Sequence, residues 1–135
     1  MDMPAGRPGD WLLVAGDVGE RFADIEWALA VLASRYERVV WVPGNHELWS
    51  RRADPVGARG VERYKLLVEA CQRLGIVTPE DPYPVWEGSA ETGPVTIAPL
   101  FLCRHNSANK THCEGVNLML YAKRLGGLRG CGCGG

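Results

Sequence analysis

Apolar positions along the chain fall into runs and stripes whose spacing assigns most of its elements. Trp11-Leu12-Leu13-Val14-Ala15 is a continuous apolar run that stops at Gly16-Asp17, and Val39-Val40-Trp41-Val42 is a second that stops at Pro43-Gly44. Short runs bounded by glycine or proline predict buried strands, here over 11–15 and 38–42. Between them Phe22, Ile25, Leu29 and Leu32 recur at three- and four-residue spacing with Glu20, Arg21, Asp24 and Glu26 interposed. That pattern predicts an amphipathic helix over about 20–34. Strand, helix, strand predicts parallel neighbours joined by a right-handed crossover, so both strands end on the same edge. Ligands of open α/β sheets collect beyond such strand ends, which places Asp17, Asn45 and His46 at one site.

Further along, Val61, Tyr64, Val68 and Cys71, flanked by Leu67 and Leu74, predict a second amphipathic helix ending at Gly75. Ile76-Val77-Thr78 reads as a short third strand. Segments 83–87 and 94–100, around a glycine- and serine-bearing turn, predict a hairpin-like pair that extends the sheet. The polar stretch 50–60 carries Arg51, Arg52 and Arg59, read as a solvated loop before a phosphate-facing one. No repeat or heptad run is present, and the glycine-rich end, 126–135, is expected to be disordered.

Composition adds limits. With 135 residues, 46% of them hydrophobic, and a formal net charge of -1, the chain suits one modest α/β domain with a core. The balance argues against a nucleic-acid binder or a membrane-surface protein. No apolar stretch approaches the roughly 20 residues of a membrane helix, and the first ten residues lack a signal peptide's apolar region. A cytoplasmic location is expected. Near Leu102 the chain changes character: residues 1–102 hold 10 Lys and Arg against 15 Asp and Glu, whereas 103–135 hold 5 against 1 and four of the five cysteines. We therefore expect a flexible stretch over 1–10, a domain over 11–102, and an irregular, disordered Cys- and Gly-rich tail over 103–135. Cys103, His105, His112, Cys113, Cys131 and Cys133 lack the ligand spacers of a structural zinc site. The cysteines read as reduced thiols.

The strand ends carry chemistry. Hydrolysing a phosphate ester requires neutralising charge on non-bridging oxygens and making a nucleophile at neutral pH, and two metal ions about 3.5–4 Å apart do both. Asp17 at a strand end can bridge two metals, although alone it also suits the N-cap of the following helix. Asn45 can give a metal a neutral amide oxygen. His46 can hand a proton to the leaving oxygen, with Glu47 orienting the imidazole. Trp41, Trp49 and Trp86 read as packing residues.

Gly16-Asp17-Val18-Gly19 and Gly44-Asn45-His46-Glu47, with their strand-helix-strand context, resemble the second and third motifs of the calcineurin-like metallophosphoesterases, over about 11–102. The resemblance implies a four-layer α/β/β/α sandwich, here partial and truncated at its N-terminus. It implies hydrolysis of phosphomonoesters or phosphodiesters at a site of two divalent ions, manganese, iron or zinc. Asp17 would be the bridging ligand, Asn45 a ligand of the second metal, and His46 the catalytic imidazole with Glu47 behind it. The family's opening Asp-x-His and its later histidine motifs have no counterpart here, so the chain is expected to be part of such a domain, with weak or no activity alone. The alternative is a non-catalytic binding module on the same scaffold.

Overall fold

β1 (Trp11–Val14) and β2 (Arg38–Trp41) run parallel, with Trp11 opposite Arg38 and Val14 opposite Trp41, in a computed structural model that describes residues 6–105 and 113–124, with side chains through residue 100. Their connection is α1 (Phe22–Arg35), which turns Ile25, Leu29 and Leu32 inward. That stripe packs against Val39 and Trp41 of β2 and against Leu67, Val68 and Cys71 of α3 (Gly60–Arg73). Ile25, Leu29 and Leu67 are fully buried, each removal from water stabilising by about 1.5–3 kcal/mol. Between β2 and α3, Asn45–Leu48 form a single turn, α2. The N-cap of α1 is Arg21, so Asp17 does not cap this helix.

The third predicted strand is reduced to one bridge. Trp41 N–H donates to the Val77 carbonyl at 2.8 Å and Val77 N–H donates to the Val39 carbonyl at 2.9 Å. The ladder stops there because Thr78 turns to Asp81: its N–H and hydroxyl both donate to Asp81 Oδ2, at 2.8 and 2.6 Å. Pro79, Pro82 and Pro84 follow, and none has an N–H to give a ladder.

The hairpin does not extend this sheet as expected. β3 (Val85–Trp86), β4 (Val95–His105) and β5 (Cys113–Arg124) form a separate antiparallel sheet in that order. The prolines break the hydrogen-bonded path from Val77, so the chain starts a new sheet instead of adding to the old one. Trp11 and Leu13 of β1 meet Trp86, Val95 and Ile97 across a cleft of about 420 Å³, so the sheets confront each other through apolar side chains. β4 also runs past Leu102, and β5 pairs with it from Arg124 opposite Val95 to Val116 opposite Cys103. The tail expected to be irregular thus carries a strand: Val116 to Ala122 holds no glycine or proline, a local signal masked by the tail's charge and cysteine content. The stretch 1–10 expected to be flexible lies partly, and the end 126–135 expected to be disordered lies wholly, outside the described residues. No helix among the described residues is long and apolar enough to cross a membrane.

Candidate active site

Where β1 and β2 end, their loops touch backbone to backbone. Gly16 and Asp17 take successive left-handed conformations, φ +76° and +57°, which swing the chain sharply off the strand. A Cβ on Gly16 would strike the Gly44 amide, and a Cβ on Gly44 would strike Asp17 Oδ1 and lie 2.6 Å from Asp17 N. The two loops can meet this closely only because both positions lack a side chain. Asp17 Oδ1 then receives a long hydrogen bond, 3.5 Å, from the His46 N–H.

Glu47 ties the same two loops together from beneath. Fully buried, it accepts the Val18 N–H on Oε1 at 2.7 Å and the Gly44 N–H on Oε2 at 2.9 Å. Both oxygens are engaged by backbone amides of the two motifs, so its carboxylate is not the group on the imidazole. That place belongs to Glu20: its Oε1 lies 2.9 Å from His46 Nδ1, and its Oε2 accepts from Arg51 Nε. The hydrogen bonds from Arg51 first, and His46 second, hold the Glu20 carboxyl below the usual glutamate range, and Glu20 in turn pushes the Arg51 guanidinium up. The His46 ring also rests against half-exposed Trp49, centroids 4.4 Å apart.

Below Glu20 and Glu47 sits a buried ion pair. Arg63 and Asp54 have side chains 0% and 2% exposed and meet at 3.0 Å. Asp54 Oδ2 also accepts the Phe22 N–H at 2.9 Å, satisfying a first-turn donor of α1 that Arg21 leaves uncapped. Its Oδ1 accepts the Val56 N–H at 3.0 Å. Burial pushes the Asp54 carboxyl up, but those two amides and the Arg63 guanidinium outweigh it and hold the group below the usual aspartate range.

Asp17, Asn45 and His46 thus lie on adjoining loops as the sequence predicts, while Glu47 turns inward. Glu20, Asp54 and Arg63 were missed. Glu20 carried a usable signal, a carboxylate three residues after Asp17 and just ahead of the helix; Asp54 sits in a polar stretch read as a solvated loop, and Arg63 lies 16 residues beyond Glu47. As metal donors, Asp17 and Asn45 offer a carboxylate and an amide, hard oxygens suited to divalent ions. Gly44 keeps the space beside Asp17 Oδ1 clear, and the Asn45 amide makes no hydrogen bond to another described residue, so this pair fits part of a divalent site. No group of three or more His, Cys, Asp or Glu is placed to hold an ion among the described residues. The side chains of His105 and His112 lie outside them.

Comparison with known proteins bears on this geometry. The sequence model for calcineurin-like phosphoesterases matches residues 3–119. The acyl-carrier-protein phosphodiesterase PptH of Mycobacterium tuberculosis is 53% identical over 95 residues, which cover 70% of this chain and 29% of PptH. A crystal structure of that organism's phosphopantetheinyl hydrolase, PptH, matches with a TM-score of 0.67 at 52% identity, over 70% of this chain and 33% of the other. The chain therefore spans about 29% of the length of the curated relative it matches.

Proposed function

Since this chain belongs to the calcineurin-like phosphoesterase family, we propose that its adjoining strand-end loops are part of a metal-dependent phosphodiesterase site. In this reading Asp17 and Asn45 are metal ligands, His46 is the catalytic imidazole, Glu20 orients it, and Glu47 braces the loops. The observation that carries it is the 2.9 Å contact of His46 Nδ1 with Glu20 Oε1, beside the point where the Asp17 and Asn45 loops abut. The relative's name supplies the substrate class: the phosphodiester of a phosphopantetheine-bearing acyl carrier protein.

Divalent ions held by Asp17 and Asn45, two in the intact family and manganese, iron or zinc by the family resemblance, would supply charge neutralisation at the phosphate and activation of water. The chain's own groups handle orientation and the leaving group. With Nδ1–H donated to Glu20, the ring is fixed in one tautomer and Nε2 is the nitrogen left for the substrate. Hydrolysis adds water across a P–O bond, and the imidazole in its doubly protonated form gives the Nε2 proton to the departing oxygen, returning to the neutral ring that keeps Nδ1–H on Glu20. Arg51, on the second Glu20 oxygen, keeps that carboxylate turned to the ring. Trp49 covers one side of the imidazole. A cytoplasmic setting, where the free thiol of Cys71 stays reduced, belongs to the same proposal.

The absence of a three-ligand cluster among the described residues favours one other reading, a non-catalytic binding module. Thermal denaturation with and without Mn²⁺ separates the two. A ligand at a hundred times its Kd stabilises the native state by about 2.7 kcal/mol. We expect Mn²⁺ to raise Tm in the wild-type chain and not in Asp17→Ala, with any hydrolysis of a bis-aryl phosphate lost in the same variant. A wild-type Tm indifferent to Mn²⁺ would hand the case to the binding module.

A further inference from the structure

Arg63 is a fully buried cation with more work than its partner Asp54 requires. On α3 it donates from Nε to the Glu47 carbonyl at 2.6 Å, from Nη2 to the Glu20 carbonyl at 2.7 Å and to Asp54 Oδ2 at 3.0 Å, and from Nη1 to the Val56 carbonyl at 3.2 Å. Its guanidinium also lies 5.8 Å from the centre of the Phe22 ring, at the start of α1. One rigid, planar group therefore joins the backbone of the residue that holds the imidazole to the backbone of the residue that follows it.

We infer that Arg63, seated by Asp54, is a positioning residue that fixes the Glu20 carboxylate against His46 by gripping the main chain beneath both. The inference rests on the reading of Glu20 and His46 given above. Three features support it over a purely structural ion pair. A buried pair costs desolvation that apolar side chains of similar volume would avoid, so its place in the core calls for another reason. Two of its donors go to carbonyls directly under the two loops of the site, and the shorter bonds are these two. The fork of an arginine has five N–H groups in a fixed plane, so it sets the separation of the two carbonyls as well as satisfying them, which a lysine ammonium on a flexible stem does not. Asp54 completes the arrangement by accepting both the guanidinium and the Phe22 amide on Oδ2, so α1 and the Glu20 segment ahead of it share one anchor.

The test reads the tautomer of His46 in the full, metal-free chain labelled with ¹⁵N-histidine, at about pH 9, where an imidazole is neutral. The His46 signals are assigned by their loss in His46→Gln. Wild type should show a protonated Nδ1 and a bare Nε2. Arg63→Lys, which keeps the ion pair, and the double variant Arg63→Met with Asp54→Asn, which removes both charges together, should both shift the Nδ1 resonance toward the bare position and Nε2 toward the protonated one. The lysine variant should move less. A folded variant that keeps the wild-type tautomer overturns the inference and leaves Arg63 a core residue, as does failure of both variants to fold. A wild-type chain already protonated on Nε2 instead overturns the Glu20–His46 reading itself, and this inference with it.

Discussion

Replacing Glu47 separates two accounts of the Gly-Asn-His-Glu motif, one in which its glutamate tunes the histidine and one in which it holds the loops. Its side chain is fully buried, with one oxygen on the Val18 N–H at 2.7 Å and the other on the Gly44 N–H at 2.9 Å. Hydrogen bonds to a charged group contribute about 1.5–3 kcal/mol each, and a buried donor left without an acceptor costs about 1–3 kcal/mol. Glu47→Gln keeps the shape and one acceptor oxygen but turns an NH₂ toward the other amide, so the expected loss is about 2–3 kcal/mol. Glu47→Ala strands both amides and should lose about 3–5 kcal/mol, a large share of the 5–15 kcal/mol that holds an ordinary domain together. At roughly 3–5 °C per kcal/mol for a chain of this size, the glutamine variant should melt about 6–15 °C below wild type. Urea unfolding followed by circular dichroism measures the same loss through the midpoint at constant m-value. Glu20→Gln, at the surface of the site, should leave the urea midpoint nearly unmoved while disturbing His46. A Glu47→Gln chain within about 0.5 kcal/mol of wild type, the range of an ordinary surface change, would refute the bracing role.

Other consequences follow from the same contacts. Gly44→Ala keeps an acceptable φ of −88° but drives a methyl into the Asp17 backbone nitrogen, which cannot yield, and displaces the Asp17 carboxylate, so a loss of about 1–3 kcal/mol and of any Mn²⁺-induced rise in Tm is expected by thermal shift. Because the Asp54 carboxyl titrates lower in the folded chain than in the unfolded one, its stabilisation is complete above the unfolded value of about 3.9 and is lost as pH falls through the folded value. Urea midpoints measured from about pH 6 downward should therefore fall in acid, and Asp54→Asn should flatten that limb. Burial, and then the charge of Asp81, push the Cys71 thiol up to about 12, so a pulse of iodoacetamide at neutral pH should leave the Cys71 peptide unmodified until urea is added.

What the sequence made legible was whatever repeats at short range. The apolar runs ending at Gly16 and Pro43, and the three- and four-residue spacing of Ile25, Leu29 and Leu32, locate β1, β2 and α1 because strand and helix periodicity depend only on neighbours. The same logic brought Asp17 and His46 to one edge of the sheet. What it could not reach is pairing at a distance. Sheet membership of the Val85 and Val95 segments turned on prolines interrupting a ladder, and β5 was hidden because composition was averaged over a tail that contains one breaker-free run. Within the site, adjacency misled: Glu47 follows His46 in sequence, but consecutive helical positions point about 100° apart, and its side chain turns inward, under the loops. Glu20 precedes His46 by 26 residues and is the carboxylate that arrives.

Burial explains why the inward glutamate and the outward one divide these duties. Glu47, Asp54, Arg63 and Thr78 are the buried polar side chains among the described residues, and the three charged ones lie directly beneath the two motif loops. An apolar core would be at least as stable at such positions, since buried ion pairs seldom exceed hydrophobic packing in net contribution. What an apolar side chain cannot do is hold a backbone amide or carbonyl at a fixed distance. The Val18 and Gly44 amides, the Phe22 amide and the Glu20 and Glu47 carbonyls all belong to loops or helix ends, where no strand or helix ladder satisfies them. Hydrogen bonds from buried charges fill that gap and fix the loops to about a bond's tolerance. Glu20, Arg51 and His46 are left nearer the surface, where their side chains can meet a substrate without disturbing the frame that carries them.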